Sequence, residues 1–256
     1  MGKQRTVVVT GADRSVGLEL VKQYLERGDI VFAGKYKSNW RLLEELQAKY
    51  PDRLTIVEMD VSSTESVNAA AQVILAKTNK VDILINNAGV WLEHGTGTIF
   101  DPELDYDRMM AQININALGA IRVTHALIDP IMHSYDKLIA NVSSEAASLT
   151  GCRKTNGFGY CMSKVAMNMQ AIIVLNAIRH LGGQVIILHP GNMQSVIGAP
   201  AGPDAPFVEM PTEDDVRFYT TPEVTARGFI EILSEPERFA IRNPGFVNYR
   251  GDTMPF

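Results

Sequence analysis

The chain has 256 residues, 46% of them hydrophobic, and a formal net charge of −5; that length suits one α/β domain or two small ones. The negative balance, with basic residues scattered rather than massed, gives no support to a nucleic-acid surface. No apolar run approaches the roughly 18 residues of a membrane span, and Met1-Gly2-Lys3-Gln4-Arg5 leads at once into the apolar Thr6 to Val9, too short for a signal peptide, so a cytoplasmic protein with no membrane partner is expected.

A first strand over Thr6–Val9 runs into Thr10-Gly11-Ala12-Asp13-Arg14-Ser15-Val16-Gly17 and then a helix over Val16–Arg27. Glycines at such a strand–turn–helix junction allow a tight turn and let a pyrophosphate approach the N–H groups of the helix N-terminus. A strand over Ile30–Gly34, a helix over Asn39–Lys49, a strand over Thr55–Met59 and a helix over Ser63–Lys77 follow. The fourth strand, Ile83–Asn86, closes on Asn86-Asn87-Ala88-Gly89. Adjacent asparagines there either hold a strand end open around a ligand or simply make a turn. A helix over Leu104–Leu127 leads to a strand over Lys137–Val142, and a long helix covers Gly159–Leu181.

That last helix carries Tyr160 and Lys164, four residues apart and therefore on one face. An ammonium beside a phenol favours its ionised form and fits it to pass a proton near neutral pH. Cys152 and Cys161 lack metal-site spacing and read as free thiols in a reducing compartment. After a sixth strand over Gln184–His189, the stretch beyond Pro190-Gly191 carries Pro200, Pro203, Pro206 and Pro211. It sits at the carboxyl end of a strand, where open α/β sheets bind ligands, and reads as a substrate lid over about 192–221. A helix over Pro222–Leu233 and an edge strand over Gly245–Tyr249 complete the chain. Alternation of this kind gives right-handed βαβ crossovers: a single α/β domain with a doubly wound parallel sheet of about seven strands and helices on both faces.

Thr10-Gly-x-x-x-x-x-Gly17, Asp60-Val61, Asn86-Asn-Ala-Gly89, Ser144, Tyr160-x-x-x-Lys164 and Pro190-Gly191, in this order and at these intervals, resemble the short-chain dehydrogenase/reductase family over nearly the entire chain, which implies a Rossmann fold. Tyr160-Cys-Met-Ser-Lys-Val-Ala-Met-Asn168, Leu188-His-Pro-Gly191 and Pro244-Gly-Phe-Val-Asn-Tyr249 are similar to the C-factor and sniffer-like carbonyl reductases within it. The resemblance makes Tyr160 the general acid in carbonyl reduction and the base in reverse. Lys164 would lower the phenol pKa and hold the nicotinamide ribose. Ser144 would hydrogen-bond the reacting oxygen, with Ser143 as its rival, and Asn116 would support a proton-relay water near the lysine. Asn114, two residues off, would face elsewhere.

For the cofactor, the resemblance implies Asp60 on the adenine amino group with Val61 beside it, and Asn87, Ala88 and Gly89 along the adenosine ribose. Gly11, Asp13, Arg14, Ser15, Val16 and Gly17 would form the phosphate loop; Pro190, Gly191 and Met193 would also bind the cofactor, and Ser195 would hold its carboxamide. An NAD enzyme places an acid at the end of the second strand. Here Ala33-Gly34-Lys35-Tyr36-Lys37-Ser38-Asn39 has none, and Arg14, Lys35 and Lys37 suit a 2′-phosphate, so NADP is expected over NAD. Ser15 stands where the family has glycine, and Tyr36 where many NADP-using relatives have arginine. The implied function is hydride transfer between nicotinamide and a small carbonyl or alcohol, by a homodimer or homotetramer paired through its long helices. A dinucleotide-binding signalling protein with little turnover is the alternative.

Overall fold

The computed structural model describes residues 3–36, 40–93, 97–193, 219–239 and 245–256. Seven strands, β1 (Thr6–Val9), β2 (Ile30–Lys35), β3 (Leu54–Glu58), β4 (Ile83–Asn86), β5 (Leu138–Val142), β6 (Gln184–His189) and β7 (Gly245–Asn248), form one sheet in the order β3-β2-β1-β4-β5-β6-β7. Every neighbouring pair is parallel. Both faces are covered, which is why these strands read as near-continuous apolar runs rather than alternating ones. Side chains still alternate across the sheet: Val7 and Val9 pack on one side with Leu20 and Phe229, and Val8 on the other with Phe32, Ile74 and Leu175.

The helices are α1 (Ser15–Glu26), α2 (Leu42–Lys49), α3 (Thr64–Leu75), α4 (Tyr106–Gln112), α5 (Gly119–Ala126), α6 (Ile128–Met132), α7 (Phe158–Ile178) and α8 (Pro222–Ser234). The strand order turns back between β1 and β4, so the carboxyl ends of these two strands open a crevice at the topological switch point. The expected doubly wound, single-sheet α/β fold is the one observed.

Two expectations are corrected. The single helix expected over Leu104–Leu127 is α4 and α5 joined by one π-helical turn, Ile113–Leu118. The extra residue of such a turn re-aims the side chains it carries. The helix Phe158–Leu181 is, against the expectation from apolar run length, long and apolar enough by composition to cross a membrane, with a mean hydropathy of 1.3. It belongs to the folded domain: Met167, Ala171, Leu175 and Ile178 are buried, the last three of them in the core on one face of the sheet. On its other face Met162, Met169 and Ile173 are exposed, as are Tyr106 and Met110 on α4 and Leu118 in the π turn.

Candidate active site

The turn between β1 and α1 is shaped by backbone proximity. Gly11 has φ +59°, and a Cβ on it would lie 2.8 Å from Ala88 Cα. A Cβ on Gly17 would lie 2.2 Å from the Gly11 carbonyl oxygen. Neither position admits a side chain, so the loop lies flat on the end of β4. Asn87 closes the junction: Nδ2 donates to the carbonyls of Thr10 and Gly11, both at 3.0 Å. The N–H groups of Asn87 and Ala88 donate to Thr10 Oγ1, also at 3.0 Å. Asn86 faces the other way and ties β4 to Asn141 and Thr124. The paired asparagines therefore tie the end of β4 to the ends of both its neighbours, β1 and β5.

Ser15 adopts φ +49°, the left-handed conformation that glycine would take without strain. Arg14 precedes α1 in an extended conformation, and no acid lies in that helix's first turn. The Nη1 of Arg14 is buried and has no hydrogen-bond partner among the described residues.

A cavity of about 230 Å³ runs along this loop and under the carboxyl end of the sheet. Its lining includes Gly11, Asp13, Arg14, Ser15, Val16 and Gly17 from the loop, Asp60, Val61, Asn87, Ala88 and Gly89 from the ends of β3 and β4, and Tyr160, Lys164 and Pro190. Asp60 is partly buried, and its Oδ1 accepts from the Ser62 N–H (2.9 Å) and hydroxyl (2.6 Å).

Lys35, expected among the cofactor cations, is not on this wall. Its ammonium pairs with Glu44 at 2.5 Å and donates to the Trp40 carbonyl at 3.1 Å. That pairing holds the Glu44 carboxyl below its usual range. The neighbouring Tyr36 borders the cavity instead. Gly191 follows Pro190 with φ +78° against the Tyr249 ring and is not on the wall either. Met193 closes a two-residue parallel pairing of Asn192–Met193 with Tyr219–Thr220. Ser195, Lys37, His94 and most of the expected lid at 192–221 lie outside the described residues.

Tyr160 and Lys164 sit one turn apart in α7, 8% and 3% exposed. Hydrogen bonding by the Ser144 side chain acts to lower the phenol pKa. Its rival Ser143 instead donates to Asn168 Oδ1 at 2.7 Å. Of the two serines, Ser144 is the one whose hydrogen bonding acts on the tyrosine pKa, whereas Ser143, and not Ser144, borders the cavity. Ser144 is presented by a short 3-10 turn, Glu145–Ala147, whose first N–H donates to His189 Nδ1 at 3.2 Å. Burial holds the His189 imidazole below its ordinary pKa.

The expected lowering of the phenol pKa by Lys164 is not seen. Burial pushes Tyr160 up to about 12, with the Ser144 hydrogen bond opposing it. Burial likewise pushes Lys164 down to about 8. The ammonium donates to the Val142 carbonyl at 2.9 Å and stands 5.8 Å from the centre of the Tyr160 ring. In a site this dry, taking each charge out of water outweighs the attraction between them.

Asn116 lies in the π turn and is fully buried. Its Oδ1 accepts the Val90 N–H at 2.8 Å, and its Nδ2 donates to the Val90 carbonyl (2.9 Å) and Ser163 Oγ (3.0 Å). A Cβ on Gly89 would sit 3.4 Å from both Asn116 Oδ1 and Lys164 Nζ, which brings the two side chains to one point of the cavity wall. Asn114 faces elsewhere: it bonds Ser62 and Arg122. The Trp91 indole stacks on the Tyr160 ring, with centres 5.2 Å apart and planes 17° apart.

Glu93 was not legible as a site residue. It is buried and accepts the backbone N–H groups of Gly159 and Tyr160. A lone acid after Val90-Trp91-Leu92 carries no pattern, and its partners Gln112 and Tyr160 lie 19 and 67 residues away.

Residues 5–205 match the family model described as short chain dehydrogenase. The C-signal of Myxococcus xanthus is 36% identical over 184 residues, covering 70% of this chain and 95% of that protein. Among solved structures, the NADPH-bound carbonyl reductase from chicken fatty liver superposes with a TM-score of 0.81 at 25% identity, over the whole of both chains. The carbonyl reductase Sniffer of D. melanogaster shares the fold, with a TM-score of 0.79 at 19% identity over 99% of this chain and 100% of that one. The expected likeness to the C-factor and sniffer-like proteins is thus met by a relative of the first kind and a neighbour in fold of the second. The chain belongs to the short-chain dehydrogenase/reductase family.

Proposed function

We propose that this protein is an NADP-dependent oxidoreductase that interconverts a small carbonyl compound and its alcohol, with Tyr160 as the general acid and base. The observation that carries this reading is the placement of a buried phenol, Tyr160, on the same cavity as the glycine loop at the head of α1. The residues present fit the dinucleotide. The side-chain-free approach at Gly11 and Gly17 suits a pyrophosphate against the N-terminus of α1. The buried, unpartnered Nη1 of Arg14 suits a 2′-phosphate. The NADPH in the chicken carbonyl reductase supports the same choice.

A reduced nicotinamide, when bound, supplies the hydride that becomes the new C–H bond. The chain's own residues handle the oxygen. Ser144 turns its hydroxyl to the substrate oxygen and steadies the developing negative charge. Tyr160 gives up its phenolic proton to that oxygen; with a pKa of about 12 it is fully protonated at neutral pH and ready as a donor. Lys164, close to Tyr160 and with a pKa near 8, is the neighbouring group best able to return a proton to the phenolate. In the oxidising direction the same phenol must first ionise, so that direction gains from alkaline pH.

Replacing Tyr160 by Phe removes the proton donor and keeps the ring that stacks on Trp91. NADPH-dependent reduction of a reactive aldehyde or quinone should fall about 10²–10⁴-fold, the usual contribution of a positioned general acid. The dissociation constant of NADPH should change less than about twofold. Activity retained in that variant would refute the assignment. We further propose that a second copy of the chain covers the apolar face made by Tyr106, Met110, Leu118, Met162, Met169 and Ile173.

A further inference from the structure

We infer that Glu93 is a positioning residue for the proposed proton transfer: its buried carboxylate holds the first turn of α7, and with it Tyr160, in register with the π turn that carries Asn116. The inference rests on the reading of Tyr160 as the proton donor. The N-terminus of α7 has no cap of its own, since Gly157 precedes it with no side-chain bond to the first turn. Such a terminus leaves N–H groups in need of acceptors, and a buried one requires them.

Glu93 supplies them from the loop after β4. Its Oε1 accepts the Gly159 N–H at 3.2 Å, and its Oε2 accepts the Tyr160 N–H at 3.0 Å. A third donor, Gln112 Nε2, meets Oε2 at 2.6 Å. Gln112 is the last residue of α4, directly before the π turn, and its Oε1 accepts the Leu92 N–H at 3.0 Å. Three donors thus converge on one acceptor-only side chain that is 8% exposed. The bonds join the three segments on which the site depends. The loop after β4 carries Val90 and Trp91, the π turn carries Asn116, and the first turn of α7 carries Tyr160. A carboxylate at the N-terminus of a 21-residue helix is also favoured by the helix dipole.

In this arrangement the donor–acceptor pattern matters as much as the bulk. In the Glu93→Gln variant the new amide NH₂ stands either in the place of Oε1, facing the Gly159 N–H, or in that of Oε2, facing the Tyr160 N–H and Gln112 Nε2, so at least one donor meets another donor. Displacing a reacting group by an ångström costs about 10²-fold in rate. The carbonyl-reductase kcat of Glu93→Gln should therefore fall about 10- to 100-fold. The dissociation constant of NADPH, which is bound by other residues, should move less than about twofold.

Glu93→Ala removes every one of these acceptors and should lower kcat further than Glu93→Gln, again with the NADPH dissociation constant within about twofold of the parent protein. A loss of kcat in either variant that comes with a parallel loss of NADPH affinity would mean a merely structural role and overturn the inference. So would an unchanged kcat. Tyr160→Phe serves as the control. If it is inactive while Glu93→Gln is fully active, the positioning inference alone fails. If it is active, the reading of Tyr160 fails first.

Discussion

Replacing Arg14 by Ala tests the cofactor preference at a single side chain. Arg14 Nη1 is buried beside the glycine loop with no partner among the described residues, so a phosphate bound there displaces none of them. A hydrogen bond to a charged group contributes about 1.5–3 kcal/mol. At about 1.4 kcal/mol per tenfold, its loss raises the NADPH dissociation constant roughly 10- to 150-fold. NADH has no 2′-phosphate and should bind Arg14→Ala within about twofold of the parent. Lys35 cannot compensate, because its ammonium is already held by Glu44 and the Trp40 carbonyl. Lys35→Ala should accordingly leave the NADPH/NADH ratio nearly unchanged. Both cofactors can be titrated by the quenching of intrinsic fluorescence, or by calorimetry, at fixed ionic strength. An equal loss for both cofactors in Arg14→Ala would place the side chain on the shared pyrophosphate. No loss for either would remove it from the site.

The strained backbone at Ser15 gives a stability prediction. Left-handed conformation costs a non-glycine residue about 1–2 kcal/mol, and glycine gives back about 0.5–1 kcal/mol in unfolded-state entropy. Ser15→Gly should therefore stabilise by up to about 1.5 kcal/mol, or up to about 3–6 °C in Tm for a domain of this size; a fall in Tm would show that the serine hydroxyl outweighs the strain. The buried Lys164 gives a pH prediction. Its pKa is about 8 in the fold against 10.5 ordinarily, so between these values the unfolded chain holds more protons and stability rises with pH. Below about pH 8 the cost of burying the ammonium is fully present. Lys164→Met removes it. The stability of the parent relative to that variant should improve with a slope approaching about 1.4 kcal/mol per pH unit from pH 8 towards 10. Above pH 10 Tyr160 acts oppositely, because its pKa of about 12 makes the unfolded chain release its proton first. A flat difference between pH 8 and 10 would mean that Lys164 is not desolvated as described.

What the sequence made legible is what local chemistry dictates. Runs such as Thr6–Val9 and Ile83–Asn86 are apolar throughout because both faces of the sheet are covered, and β1 and β4 begin and end where their patterns do. Gly11, Gly17 and Asn87 were legible because a close backbone approach permits few residue types. Lys35 was misplaced because its partner, Glu44, comes from the first turn of α2, and no spacing rule couples the end of a strand to the following helix. The π turn was hidden because its six residues, Ile113–Leu118, have ordinary helical composition, and only packing against Val90 and Ser163 selects the wider turn. Glu93 escaped for a related reason: its meaning lies entirely in donors brought to it by the fold.

Burial sets the chemistry of the proton site more than the Tyr160–Lys164 spacing does. A four-residue interval predicts attraction between an ammonium and a phenolate, which would lower the phenol. The fold removes both groups from water, and the penalty for charging either one is larger. The result is a phenol held protonated to about pH 12 beside an amine that titrates near 8. That pairing favours proton donation at neutral pH over proton abstraction. For the proposed reaction, carbonyl reduction should be nearly independent of pH from about 6 to 7.5, while alcohol oxidation should climb steadily with pH over the same range. A reduction rate that instead rises with pH would require an ionised Tyr160 in the ground state, contrary to the burial seen here.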